Sequence, residues 1–183
     1  MLVNALPDTV NRGCSMFFKK KCPSCGTKNP INAVTCASCG ASFESRKADS
    51  PQSIKDYDEA IRLDPQSAEA YYKRGFTYQN MGQGERAIED FDRAIRINPE
   101  FAMAYSNRGY AYLNKRQYNR AIVDCTKAIK LDPSDAVAYL NRGTAYKLQG
   151  NTAKATADLE KAITLSENPR LIEMASKQIQ EIS

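Results

Sequence analysis

Residues 70–99 read AYYKRGFTYQNMGQGERAIEDFDRAIRINP, residues 104–133 read AYSNRGYAYLNKRQYNRAIVDCTKAIKLDP, and residues 138–167 read AYLNRGTAYKLQGNTAKATADLEKAITLSE. Laid over one another, the three phrases share one register. Gly75, Gly109 and Gly143 stand 34 residues apart, and so do Pro65, Pro99 and Pro133. Tyr71, Tyr105 and Tyr139 keep the same interval, as do Tyr78, Tyr112 and Tyr146, and Ala60, Ala94, Ala128 and Ala162. So many positions on one interval define an internal repeat, and a repeat decides the architecture before local propensity is weighed.

The residue types within a unit predict a pair of antiparallel helices. Apolar groups in the first half recur at helical spacing, as in Tyr105, Ala111 and Tyr112. The Gly and Ala positions are small enough to let two helices approach closely, and the Tyr rings fill the space around them. Asp64-Pro65, Asn98-Pro99 and Asp132-Pro133 end the second halves, because a residue before Pro is pushed out of the α region. In the third unit Glu167 takes the place of Pro, and Asn168-Pro169 is expected to stop that helix two residues later. From Leu171 to Ile182, Leu171, Ile172, Ala175 and Ile179 share one face and polar groups the other, the pattern of a solvating cap.

This pattern resembles the tetratricopeptide repeat over most of residues 53–167. The resemblance implies a mostly α protein, a solenoid of helix-turn-helix units. The expected boundaries are 66–99, 100–133 and 134–167 for three full units and 168–183 for a capping helix. Residues 53–65, SIKDYDEAIRLDP, match only the second helix of a unit. Ile54, Tyr57 and Ile61 therefore present an apolar face without its usual partner. Phe43, the Phe17-Phe18 pair or a second copy in a homodimer is expected to cover it.

The amino-terminal part has a different composition. The full chain of 183 residues holds 26 Lys and Arg and 21 Asp and Glu, a net of +5; residues 1–50 hold seven and three, so four of the five excess charges sit there. Five of the six cysteines sit there too. Residues 1–15 lack a basic region, an apolar run and a cleavage site of the export type, so a reducing cytoplasm is the expected compartment. Met16 is expected to be the natural start. Residues 1–18 read as a disordered segment, 19–43 as a small β-type module and 44–52 as a linker.

Cys22-Pro-Ser-Cys25-Gly and Cys36-Ala-Ser-Cys39-Gly make up that module's chemistry. The two-residue gap lets both sulfurs of a pair reach one ion, and the Gly after each pair suits a tight knuckle. Four thiolates fit the tetrahedral preference of zinc. A dithiol redox pair and an iron site are the other readings of the same residues. From about Lys20 to Phe43 the segment resembles the short double-CxxC zinc ribbons, which implies one structural zinc held by Cys22, Cys25, Cys36 and Cys39. A metal enclosed by four cysteines has no open position for catalysis, and so small a module has almost no core beyond the metal.

The chain contains no His and no Trp. Imidazole is thereby excluded as general base, triad member and metal ligand. There is no Gly-rich phosphate loop, and no apolar run long enough to span a membrane. The expectation is a non-enzymatic adaptor. In the repeat family the first helices line a groove that holds an extended peptide or a partner helix. Carried over position by position, that groove would show Tyr72, Phe76 and Gln79, then Met103, Ser106, Tyr110, Leu113 and Asn114, then Leu140, Thr144 and Lys147, flanked by Glu69, Asn80, Val137 and Leu148. Such a surface suits an apolar or amphipathic segment. Chaperone-tail binders of the family grip a terminal carboxylate with Lys, Asn and Arg; here only Asn107 falls on such a position, so acidic-tail recognition of that type is not expected. The alternative is a nucleic-acid-associated factor, in which Lys19, Lys20, Lys21 and Lys28 touch phosphates and the repeats recruit proteins. Arg74, Arg108 and Arg142 recur against Asp56, Asp90, Asp124 and Asp158, which predicts a ladder of solvated surface ion pairs.

Overall fold

The structure is a computed structural model that describes residues 19–21, 28–30, 38 and 51–182. The chain divides into two compact units, Met1–Arg46 and Lys47–Ser183. In the first, β1 (Lys19–Lys21) pairs antiparallel with β2 (Lys28–Pro30), with Lys21 opposite Lys28 and Lys19 opposite Pro30. The expected zinc ligands Cys22, Cys25, Cys36 and Cys39, and the amino-terminal segment expected to be disordered, lie outside the described residues.

The second unit is α-helical. Its elements among the described residues are α1 (Pro51–Leu63), α2 (Ala68–Asn80), α3 (Gly84–Ile97), α4 (Ala102–Asn114), α5 (Tyr118–Leu131), α6 (Ala136–Leu148), α7 (Thr152–Leu165) and α8 (Pro169–Gln180). Several begin on a side-chain cap that satisfies an otherwise orphaned amide. Ser67 accepts from the Ala70 amide, Asp135 from Ala138 and Asn151 from Lys154. Helix α1 starts at Pro51, inside the stretch expected to be linker, because Pro is at home in a first turn. Asn168-Pro169 does not stop a helix as expected. Helix α7 has already ended at Leu165, and Asn168 caps α8 by accepting from the Arg170 amide, with Pro169 in its first turn.

Each first helix turns into its second through one left-handed residue. Gly82 and Gly150 take φ values of 75° and 77°, and Arg116 fills the equivalent position at 59°. Within a unit the helices close on glycine. A Cβ built on Gly75 would meet the Phe91 ring at 3.0 Å, one on Gly109 the Cys125 sulfur at 2.7 Å, and one on Gly143 the Leu159 side chain at 3.0 Å. Phe91, Cys125 and Leu159 occupy the same position in successive units and are fully buried, as are Ala94, Ala128 and Ala162. In α1 the corresponding Tyr57 and Ala60 are only half-buried, since no first helix covers them among the described residues.

Successive first helices touch, α2 with α4, α4 with α6 and α6 with α8, whereas α3, α5 and α7 do not touch one another. The array therefore curves, with first helices on its inner face and second helices splayed on its outer one.

The arginine ladder is half-buried, with its fork carboxylates buried, where the sequence suggested solvated pairs. Arg74 Nε and Nη2 donate to both carboxylate oxygens of Asp90 at 2.8 and 2.7 Å, and its Nη1 donates to Asp58 in the preceding helix at 2.6 Å. Arg108 repeats this with Asp124 and Asp92. Arg142 keeps the fork to Asp158, but its third contact is the Thr126 hydroxyl at 3.2 Å. The fork thus closes within a unit, and Nη1 reaches back across the junction to Asp58 in the first case, not to Asp56. Asp90, Asp124 and Asp158 are buried. Burial pushes the carboxyls of Asp90 and Asp124 up, and the guanidinium beside each pulls them back. The same arginines lie over tyrosine rings, Arg74 at 5.6 Å from Tyr71, Arg108 at 5.6 Å from Tyr105 and Arg142 at 5.5 Å from Tyr139. Each guanidinium is thereby fixed by a carboxylate fork and a ring face together.

Candidate functional site

The inner face is built from α2, α4 and α6. Phe76, Met103, Tyr110, Val137 and Leu148 are exposed large apolar side chains, and all lie on these three first helices. Met103 is 55% exposed and Leu148 51%, unusually bare for side chains in a packed array. At one end Tyr72 anchors an aromatic group: its ring centroid is 4.9 Å from Phe101, 5.9 Å from Phe91 and 6.3 Å from Phe76. Burial pushes the Tyr72 phenol up, offset in part by the hydrogen bond from Asn107. Tyr72, Phe101 and Met103, with Glu69 and Lys73 beside them, line a cleft of about 470 Å³.

The charges of this face close on one another. Lys73 pairs with Glu69 at 2.7 Å, and Lys147 pairs with Glu181 of α8. The lysine proposed for the groove is thus already neutralised, and an anionic ligand would have to displace an internal carboxylate.

Two expected groove residues are buried instead. Leu140 sits in a cluster with Leu159, Ala162, Leu171 and Ala175, because α8 packs on α7 and draws that face of α6 into the core. Ser106 is buried too. Gln79, Leu113 and Thr144 are half-buried and Asn114 is exposed. Thr144 Oγ1 lies 2.7 Å from the Leu140 carbonyl and 3.0 Å from Gln178 Oε1, so it ties α6 to α8.

The sequence reading passed over Asn141. Its sister Asn107 is held by three neighbours: Nδ2 donates to Tyr72 Oη at 3.1 Å and to the Met103 carbonyl at 2.9 Å, and Oδ1 accepts from Gln79 Nε2 at 3.3 Å. One unit later the positions of Tyr72 and Gln79 are occupied by Ser106 and Leu113. Ser106 is too short to replace the phenol and Leu113 has no polar atom. Asn141 is only 5% exposed, and its Nδ2 has no hydrogen-bond partner. A buried donor left unpaired costs stability. The signal was present in the register: Asn persists at 107 and 141 while both of its partners change.

Cys125 is fully buried, and burial pushes its thiol up to about 12. It is a packing residue with no nucleophilic character. Among the described residues no cluster of acidic or cysteine side chains is arranged to hold a metal, and no helix is long and apolar enough to cross a membrane.

Comparison with known proteins agrees with this geometry. Residues 68–101, 102–135 and 136–169 each match the tetratricopeptide repeat profile, and residues 49–82 match a second TPR repeat profile. Among solved structures, the second TPR domain of human RPAP3, in complex with the HSP70 peptide SGPTIEEVD, is 34% identical with a TM-score of 0.56, over 61% of this chain and 91% of that one. The Arabidopsis OM64 TPR domain is 29% identical with a TM-score of 0.60, over 64% and 94%. The first TPR of Spaghetti (RPAP3), bound to the HSP90 peptide SRMEEVD, is 26% identical with a TM-score of 0.59, over 65% and 92%. Among curated proteins nothing matches.

Proposed function

Because this chain belongs to the tetratricopeptide repeat family, we propose that it is a non-enzymatic interaction adaptor whose inner face holds an amphipathic peptide segment. One observation carries the reading: the exposed apolar side chains of α2, α4 and α6 lie on a face whose charges are paired internally. Apolar side chains of the ligand pack on Phe76, Met103, Tyr110 and Val137. Two relatives were solved with peptides ending in EEVD. This chain is proposed to bind differently, since both amide hydrogens of Asn107 are taken by Tyr72 and Met103 and no Lys or Arg stands at the other carboxylate-gripping positions. The test is co-purification from native lysate with the full chain. Tyr110→Ala with Val137→Asp is expected to lose partners that the wild type retains; retention of all of them refutes the reading.

The cysteine module is proposed to hold one zinc ion through Cys22, Cys25, Cys36 and Cys39. Support comes from the all-thiolate donor set and its paired spacing. Bound zinc would staple the module and do no chemistry on a substrate. Elemental analysis of the purified chain is expected to find one zinc per chain, released when the thiols are modified. A nucleic-acid contact is the second reading, favoured by the register that sets Lys21 opposite Lys28; retention on a DNA column that falls steeply with salt is its test.

A further inference from the structure

The outer face carries a second cleft. Helices α3 and α5 splay apart there, and the gap between them, about 560 Å³, is floored by Arg108 and Tyr112 of α4. Its walls differ from those of the neighbouring junctions. Val123 of α5, 67% exposed, stands where α3 has Glu89 and α7 has Ala157; Asn119 stands where α3 has Glu85. Helix α5 keeps a single acidic residue, Asp124, and that carboxylate is buried in the Arg108 fork. Arg120 lies over the Tyr112 ring at 5.5 Å and donates to Gln117 Oε1, and it makes no ion pair among the described residues. Arg96, on the opposite wall, is exposed and makes no ion pair among the described residues. At the preceding junction the equivalent Arg62 is closed by Glu59 at 2.7 Å.

We propose that this outer cleft is a second docking site, separate from the inner face, and that it takes an acidic peptide segment carrying an aliphatic side chain. Arg96 and Arg120 fork the ligand carboxylates from the two walls, and Val123 with Ile95 receives the aliphatic group. Asp92 distinguishes a peptide from a nucleic acid. Its side chain is 40% exposed at the cleft and bound to Arg108 on one side only. A peptide backbone brings amide N–H groups that can donate to it, whereas a DNA phosphodiester backbone has no donor to offer.

The full chain is titrated against a short fluorescein-labelled peptide of alternating glutamate and leucine, read by fluorescence anisotropy. Wild type is expected to bind with strong salt dependence. Arg96→Glu with Arg120→Glu is expected to weaken binding at least tenfold or so, and Val123→Asp roughly tenfold, with unfolding midpoints unchanged because these side chains are exposed. Tyr110→Ala with Val137→Asp, on the inner face, is expected to leave this affinity unaltered. Loss of binding in the inner-face variant and not in Val123→Asp overturns the outer site while leaving the adaptor reading intact. Equal binding of single-stranded DNA together with indifference to Val123→Asp also overturns it, since the surface would then be a general polyanion contact. So does an absence of peptide binding.

Discussion

Replacing Gly109 by Ala tests how closely α4 and α5 are packed. In an open helix interior the change stabilises, because Ala is better than Gly by about 0.8–1 kcal/mol. Here the new methyl would stand 2.7 Å from Cys125 Sγ and 3.3 Å from the Ala121 carbonyl. Neither neighbour is the end of a flexible chain: Cys125 is fully buried and the carbonyl is backbone. The two helices must separate or Cys125 must leave its rotamer, a cost of about 1–3 kcal/mol for overpacking. The net expectation is destabilisation by up to about 2 kcal/mol. Thermal unfolding followed by far-UV circular dichroism should show a midpoint lowered by about 2–4 °C for each kcal/mol. Two companions isolate the cause. Gly84→Ala, with nothing within 4 Å of its Cβ, is expected to be neutral or slightly stabilising. Gly109→Ala combined with Cys125→Ala is expected to recover about 1 kcal/mol relative to the sum of the single changes, the mark of a shared clash. A Gly109→Ala protein more stable than wild type, or strict additivity in the double variant, would refute the packing argument.

Three further outcomes follow from the same geometry. Thr126→Asp gives Arg142 the second carboxylate that Arg74 and Arg108 already have, with an expected gain of about 0.5–1 kcal/mol that fades at high salt and vanishes with Arg142→Gln. Arg116→Gly relieves a left-handed residue whose sisters are Gly82 and Gly150; chemical denaturation should show up to about 1 kcal/mol of stabilisation, and a loss would contradict the strain. Cys125 holds its proton more tightly folded, up to about 12, than at the ordinary value of 9.0, so the unfolded thiol ionises first as pH rises. The stability advantage of wild type over Cys125→Ala is therefore complete below pH 9.0 and shrinks by about 1.4 kcal/mol per unit between there and about 12; an advantage independent of pH would be inconsistent with that burial.

The helix pairs were legible because their constraints are local and recur: a glycine at each close approach and an Asp-Pro or Asn-Pro at the end of the earlier second halves. The inner-face set was legible only where exposure follows from register, as for Met103 and Tyr110. Leu140 escaped because its environment depends on α8, whose sequence departs from the repeat. Asn141 escaped because its orphaned donor is a property of two other positions, Ser106 and Leu113, on a different helix. The arginine ladder could be counted from sequence, but its depth could not: only the tertiary fork and the overlying tyrosines take it out of water. The outer cleft arises from the splay of α3 and α5, a consequence of curvature that no single unit encodes.

Two bridging devices, seen separately above, weaken at the same place. Between the first and second units Arg108 is anchored to Asp92, and Asn107 is anchored to Tyr72 and Gln79. Between the second and third the corresponding carboxylate is Thr126, and the corresponding partners are Ser106 and Leu113. The second joint is held by packing instead: α6 lies more extensively on α4 and α5 than α4 does on α2 and α3, and Gln149 Nε2 donates to Asn119 Oδ1 across it. Helices α6, α7 and α8 share their own cluster around Leu159 and Leu171, so apolar packing holds the carboxyl-terminal half where polar bridges hold the amino-terminal one, and high salt is expected to loosen the first joint before the second.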